Sequence, residues 1–254
     1  MSKRDLIFRK PLMNAAGSLG FAPDSRAPIP WDDFGAFVTN PLSLRPRAGA
    51  AQPALLEFPG GFLLHTGLPN PGFDAALKKY ASRWRDSSLP VIVHLMADRP
   101  EETQKMVRAL EDAENIMAVE LGFAPLLADD ILLLTLEMCV GELPLIFSLP
   151  SEQVLSLGPR LMQDGAAAIS LAPPRGALPD LTPGPSPKRR GGIIEGRLFG
   201  PALFPQHLEI AASAAKLGLP IIAAGGVYSK ENADAMISVG ALAVQIDTKL
   251  WLPT

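Results

Sequence analysis

Apolar residues gather in eight short runs along this chain: Leu12–Ser18, Ala36–Leu42, Pro90–Met96, Met117–Phe123, Leu143–Leu149, Ala166–Ala172, Leu219–Ala224 and Leu242–Asp247. The runs are apolar throughout and do not alternate with polar residues, as expected of strands buried on both faces of a parallel sheet. Between most of them the period changes to that of a helix. Phe73, Ala76, Leu77, Tyr80, Ala81 and Trp84 form one stripe at i, i+3, i+4, i+7, i+8 and i+11. Glu101 to Asp112 puts Met106, Val107 and Leu110 on one face, and Ser151–Gln163, Pro205–Lys216 and Ser229–Val239 have similar patterns. Eight strands alternating with helices in a chain of this length predict an α/β fold, a single-domain (β/α)₈ TIM barrel over residues 1–254; an open doubly wound sheet is the alternative.

Three stretches depart from the alternation. Leu44 to Pro71 is rich in Pro and Gly and too long for a simple strand-to-helix loop, which predicts an excursion over the barrel mouth. Leu178 to Gly192 combines Pro, Gly and the basic run Lys188-Arg189-Arg190, the composition of a flexible, extended loop. After the eighth run only Lys249 to Thr254 follow, so the eighth helix is expected to be truncated. Trp251 and the flank it leaves bare are expected under a neighbouring subunit, as a homo-oligomer or a subunit of a complex.

Composition narrows the partners. The chain has 254 residues, 48% hydrophobic and 19% charged with a net charge of -3, which describes a globular protein with no general attraction for nucleic acid. No apolar run nears the ~20 residues that span a bilayer, and the first residues lack the apolar segment of a signal peptide, so a cytoplasmic protein is expected. Cys139 lies in a helix-like run as a buried thiol, and the three histidines, His65, His94 and His207, have no metal-ligand spacing. A small-molecule ligand at the barrel mouth remains the expected partner. Gly225-Gly226, with a helix opened by Ser229, has the form of an anion cup in which glycine N–H groups and a helix dipole meet a phosphate.

The motifs Asn14-Ala-Ala-Gly17, Phe34-Gly-Ala-Phe-Val-Thr39, Arg45-Pro-Arg47, Gly67-Leu-Pro-Asn-Pro-Gly72, Gly200-Pro-Ala-Leu203, Gly225-Gly-Val227 and Gly240 to Gln245 occur in one order. Together they resemble the dihydroorotate dehydrogenases, FMN-dependent barrels that oxidise dihydroorotate to orotate in pyrimidine biosynthesis. The resemblance covers nearly the whole chain. It implies FMN across the mouth, with Ala15, Ala16 and Gly17 beside the flavin ring and Gly200, Gly225, Gly226 and Thr248 around the phosphate.

Against the same pattern, several groups are missing. The two lysines that the family places near the flavin fall at Asn40 and Ser148. The loop that carries the family's catalytic base reads Glu120-Leu-Gly-Phe-Ala-Pro125, and the orotate-binding asparagines fall at Leu64, Gly122 and Ala172-Pro173. Without a base, proton abstraction loses a contribution of ~10²–10⁴-fold. His65 is the one neighbouring candidate, and as a lone mouth-loop histidine it reads as solvated. A family glycine falls at Asp247, where a carboxylate ~6 Å from a phosphate would be repelled by on the order of 2–3 kcal/mol. Two readings follow: an FMN oxidoreductase of this family, and a pseudoenzyme that kept the barrel and lost the chemistry. A phosphate-binding lyase or isomerase is a third, with Glu120 as its best carboxylate, although Glu120 reads first as a residue bonded inside the barrel.

Overall fold

The computed structural model describes residues 6–52, 54–179 and 192–251. Eight parallel strands close into a barrel: β1 (Leu12–Asn14), β2 (Phe34–Val38), β5 (Val91–Met96), β6 (Ile116–Gly122), β7 (Leu145–Leu149), β8 (Ala168–Leu171), β11 (Ile221–Ala224) and β12 (Ala243–Ile246). Each falls within, or within two residues of, one of the apolar runs. The barrel seals where β1 pairs with β12, so the open-sheet alternative is set aside. Helices α1 (Phe73–Arg85), α2 (Pro100–Glu111), α3 (Asp129–Cys139), α4 (Ser151–Gln163), α5 (Phe204–Lys216) and α6 (Lys230–Ser238) pack outside. Along α1 the stripe read from the sequence faces the core, with Phe73, Ala76 and Trp84 buried.

The barrel interior is layered by strand parity. Met13, Ile92, Ile146 and Ile222 come from alternate strands, and Ala36, Ala118, Ala168 and Ala243 from the strands between them. Large and small side chains therefore alternate around the ring and interdigitate to fill it. Side chains on a strand point the same way every second residue. Two positions further along lies the next inward layer, where His94, Glu120, Ser148, Ser170 and Gln245 replace aliphatics on five strands, beside Ala15, Val38 and Ala224 on the other three. This polar layer is the floor of the mouth.

Asn14 closes a weak point in the wall. The β1–β2 register shifts between Leu12 and Met13, and the fully buried Asn14 side chain takes the place of a ladder rung. Its Nδ2 donates to Val38 O at 2.7 Å and its Oδ1 accepts from Val38 N at 2.9 Å.

A second sheet roofs the mouth. β3 (Ala54–Phe58), β4 (Gly61–His65), β10 (Ile193–Phe199) and β9 (Arg175–Pro179) form four antiparallel strands in that order. The Leu44–Pro71 excursion supplies β3 and β4. The expected flexible loop at 178–192 is corrected at its start, because Leu178 and Pro179 pair with Ile194 and Ile193 in a ladder; residues 180–191 of that expectation lie outside the described residues.

Past β12 the described chain makes a single 3-10 turn, Thr248–Trp251. Trp251 differs from its expected place on the barrel flank. Its indole N–H donates to Ser18 O at 2.8 Å and its ring lies 6.5 Å from that of Phe62, so it leans over the mouth while staying 44% exposed. Cys139 is buried and unpaired, and burial pushes its thiol up to about 12, against the opposing charge of Arg108. Such a thiol is inert. Among the described residues no helix is long and apolar enough to cross a membrane, and no His, Cys, Asp and Glu cluster could hold a metal ion.

Candidate functional site

Between the polar floor and the antiparallel roof lies a cavity of about 370 Å³. Ala15, Ala16, Gly17, Gly225, Asp247 and Thr248 line it, as does His65. Gly200 and Gly226 do not, and their lack of a side chain has a packing cause. A Cβ at Gly200 would lie 2.3 Å from the Gly61 Cα, and one at Gly226 would lie 2.4 Å from Phe204 N. Gly225 is confined in the same way, since a Cβ there would meet His207 Nδ1 at 2.2 Å. Both paired glycines adopt left-handed φ, +88° and +73°, which a side chain would strain. The turn is thus built to pack against α5. α6 does start under a Ser229 cap, whose Oγ accepts from Asn232 N at 3.2 Å, but no residue of its first turn lines the cavity.

At the centre of the floor is Glu120, 1% exposed, with both carboxylate oxygens engaged. Oε2 pairs with His94 Nδ1 at 2.7 Å, while Oε1 accepts from Ser170 Oγ at 2.6 Å and Gln245 Nε2 at 2.8 Å. Burial by itself would raise the Glu120 carboxyl, but the bonds from His94, Ser170 and Gln245 outweigh it and hold the group below its ordinary value. Glu120 is bonded inside the barrel, the reading its sequence position favoured. Room for the His94 ring comes from Gly122, where an added Cβ would lie 2.4 Å from His94 Nε2.

At the β12 exit Asp247 is 4% exposed. Its Oδ1 accepts from Thr248 N at 2.5 Å and from Thr248 Oγ1 at 3.1 Å. The Tyr228 hydroxyl donates in turn to Thr248 Oγ1, at 2.6 Å. Burial raises the Asp247 carboxyl above its ordinary value, against the N–H groups of Thr248 and Lys249.

Residues read as replacements for family groups separate. Ser148 and Leu64 line the cavity, whereas Asn40 turns away and its Oδ1 accepts from Gly20 N at 3.0 Å. Among the described residues no side chain bonds the His65 ring. Among the described residues no lysine lines the cavity, so there the lyase or isomerase reading lacks a Schiff-base group.

The roof contributes what the sequence reading missed. Arg175 and Arg197 sit directly opposite each other on β9 and β10, and both line the cavity together with Arg47 from the mouth loop. Burial pulls the Arg197 guanidinium below its ordinary value, Arg175 adds to this, and Glu120 works against it. The available signal was a charged residue beside a glycine in each segment, Arg175-Gly176 and Gly196-Arg197. Without the hairpin pairing nothing joined the two.

The family model for dihydroorotate dehydrogenase matches residues 3–123. The dihydroorotate dehydrogenase B (NAD(+)) catalytic subunit of Geotalea daltonii is 30% identical over 262 residues, covering 96% of this chain and 84% of that protein. Its counterpart from Pelobacter propionicus is 30% identical over 263 residues, covering 97% and 86%. This chain belongs to the dihydroorotate dehydrogenase family. The fold agrees with solved structures of the Eimeria tenella enzyme. The ferulenol complex superposes with a TM-score of 0.71 at 18% identity over 97% of this chain and 78% of that one. The ligand-free form gives 0.73 at 16% identity over 99% and 83%.

Proposed function

We propose that this dihydroorotate dehydrogenase-family barrel does not oxidise dihydroorotate and does not hold FMN by its phosphate, serving instead as a pseudoenzyme that binds a small molecule at its mouth. The observation that carries this is the Asp247–Thr248 contact. By resemblance, Thr248 would bind the phosphate of FMN, yet its N–H and hydroxyl are both turned onto the Asp247 carboxylate. The phosphate end of FMN does not fit these residues. An incoming phosphate would have to displace a buried carboxylate or lie beside it, at a cost of on the order of 2–3 kcal/mol.

The chemistry points the same way. A general base must reach the reacting carbon and be held by a third group. Among the described residues His65 has no such partner, and Glu120 has both oxygens committed to the floor. The relatives are named as catalytic subunits, and we carry to this chain the role of a subunit that works beside a partner.

A second reading is an active FMN-dependent oxidoreductase of the family acting in pyrimidine biosynthesis or on another substrate. Arg197 favours it, because a cation in the cavity can neutralise a reduced flavin where the lysines are missing. The visible spectrum of purified protein, followed by FMN titration and a dihydroorotate assay with a dye acceptor, separates the two. The proposal expects no flavin band, no saturable FMN uptake up to millimolar concentration and no dye reduction. Stoichiometric bound FMN, or its bleaching by dihydroorotate, would establish the second reading.

A further inference from the structure

We infer that the roof of the cavity is a binding site for a small organic oxyanion, a carboxylate or phosphate group held between Arg197 and Arg175. The inference rests on the proposed function in one respect, a mouth free of flavin.

Arg197 and Arg175 are cross-strand partners on an antiparallel ladder, so their side chains leave the same face. Like charges directly opposite each other on a sheet are destabilising. Among the described residues neither guanidinium forms an ion pair. Glu120 is an acidic group that acts on Arg197, and its oxygens are already bonded to His94, Ser170 and Gln245. A half-buried, unpaired guanidinium facing a cavity is costly on its own and is offset by a partner of opposite charge. Two arginine forks converging from neighbouring strands match the two or three oxygens of a carboxylate or phosphate.

The rest of the cavity limits the molecule attached to that group. Leu64, Leu171, Leu198 and Phe199 line the walls, and Ser148 and Gln245 offer hydrogen bonds from the floor. At about 370 Å³ the space is at the small end for ligand pockets. The occupant is therefore a small metabolite with one anionic group under the roof and a compact, partly apolar body. Arg175, exposed at the rim, draws the anion in, and Arg197 fixes it.

The test uses the full-length protein, with thermal unfolding and calorimetric titration against inorganic phosphate, malonate and benzoate at matched ionic strength. At least one is expected to bind one site per chain with a dissociation constant below about 1 mM. Preference for phosphate or for carboxylate identifies the source of the oxyanion. Arg197→Gln is expected to weaken that binding roughly 10–100-fold, the worth of a charge-assisted pair. The same substitution is expected to raise the unfolding midpoint of the unliganded protein, because it removes an unpaired charge; a merely structural arginine would lower it. The inference is overturned if no probe binds below about 10 mM, or if Arg197→Gln binds as tightly as the parent. Flavin absorbance in the same sample overturns the proposed function, whereas unchanged binding by Arg197→Gln in flavin-free protein overturns the oxyanion site alone.

Discussion

Asp247 Oδ1 lies 2.5 Å from the backbone nitrogen of Thr248, so a residue of the cup supplies its own anion. The substitution Asp247→Gly removes that anion and frees the N–H and hydroxyl of Thr248. FMN binding, followed by quenching of flavin fluorescence, is expected to become saturable below millimolar concentration, a gain of roughly a hundredfold equivalent to about 2–3 kcal/mol. Equal affinities in the two proteins would mean that Asp247 does not govern the cup.

The Glu120–His94 pair depends on a missing side chain. Gly122→Ala places a methyl group 2.4 Å from His94 Nε2, so the ring must leave and the 2.7 Å bond to Glu120 breaks. Losing a buried hydrogen bond to a carboxylate costs about 1.5–3 kcal/mol. Urea unfolding is expected to show a loss of this order, with His94→Ala nearly as costly and the two substitutions far from additive.

Asn14 is the only side chain among the described residues that both donates to and accepts from the Val38 backbone. Asn14→Leu leaves one N–H and one C=O buried without partners, at about 1–3 kcal/mol each. Thermal unfolding is expected to report a drop of several degrees or more. A variant as stable as the parent would show that the wall holds without this rung.

His207 sets an acid limit. Its Nδ1–H donates to Ala224 O at 2.6 Å, while the buried Nε2 has no partner. Burial lowers its pKa below the ordinary 6.5, so the unfolded chain binds the proton more readily than the folded one. This contribution to stability is complete above about pH 6.5 and is lost as the pH falls from there toward the lowered native value. His207→Asn keeps a donor for Ala224 and cannot titrate. Unfolding midpoints measured from pH 7.5 down to pH 5.5 are expected to fall less steeply in the variant than in the parent.

The barrel was legible because its signals are local. Runs such as Pro90–Met96 and the α1 stripe carry their period within a dozen residues, and the structure places β5 and α1 on them. The lining of the cavity was legible only where motifs are contiguous, as at Ala15-Ala16-Gly17. Gly226 and Gly200 looked like ligand contacts because glycine marks any close approach, and a sequence does not say whether the neighbour is a phosphate or the backbone of Phe204 or Gly61. Arg197 and Arg175 went unread because their chemistry exists only once two strands from either side of an interrupted segment are paired.

That roof has a consequence for how the protein is made. Leu64 pairs with Arg197, roughly half the chain away, so β4 waits for β10 before it has a neighbour on that edge. Contacts between such distant segments carry a high loop-closure cost and tend to form late. On a ribosome the floor residues His94, Glu120 and Ser148 emerge well before Arg197. A nascent chain halted before β10 holds β3 and β4 but lacks β11 and β12, so it has half a roof, an unclosed barrel and a Glu120 still without Gln245.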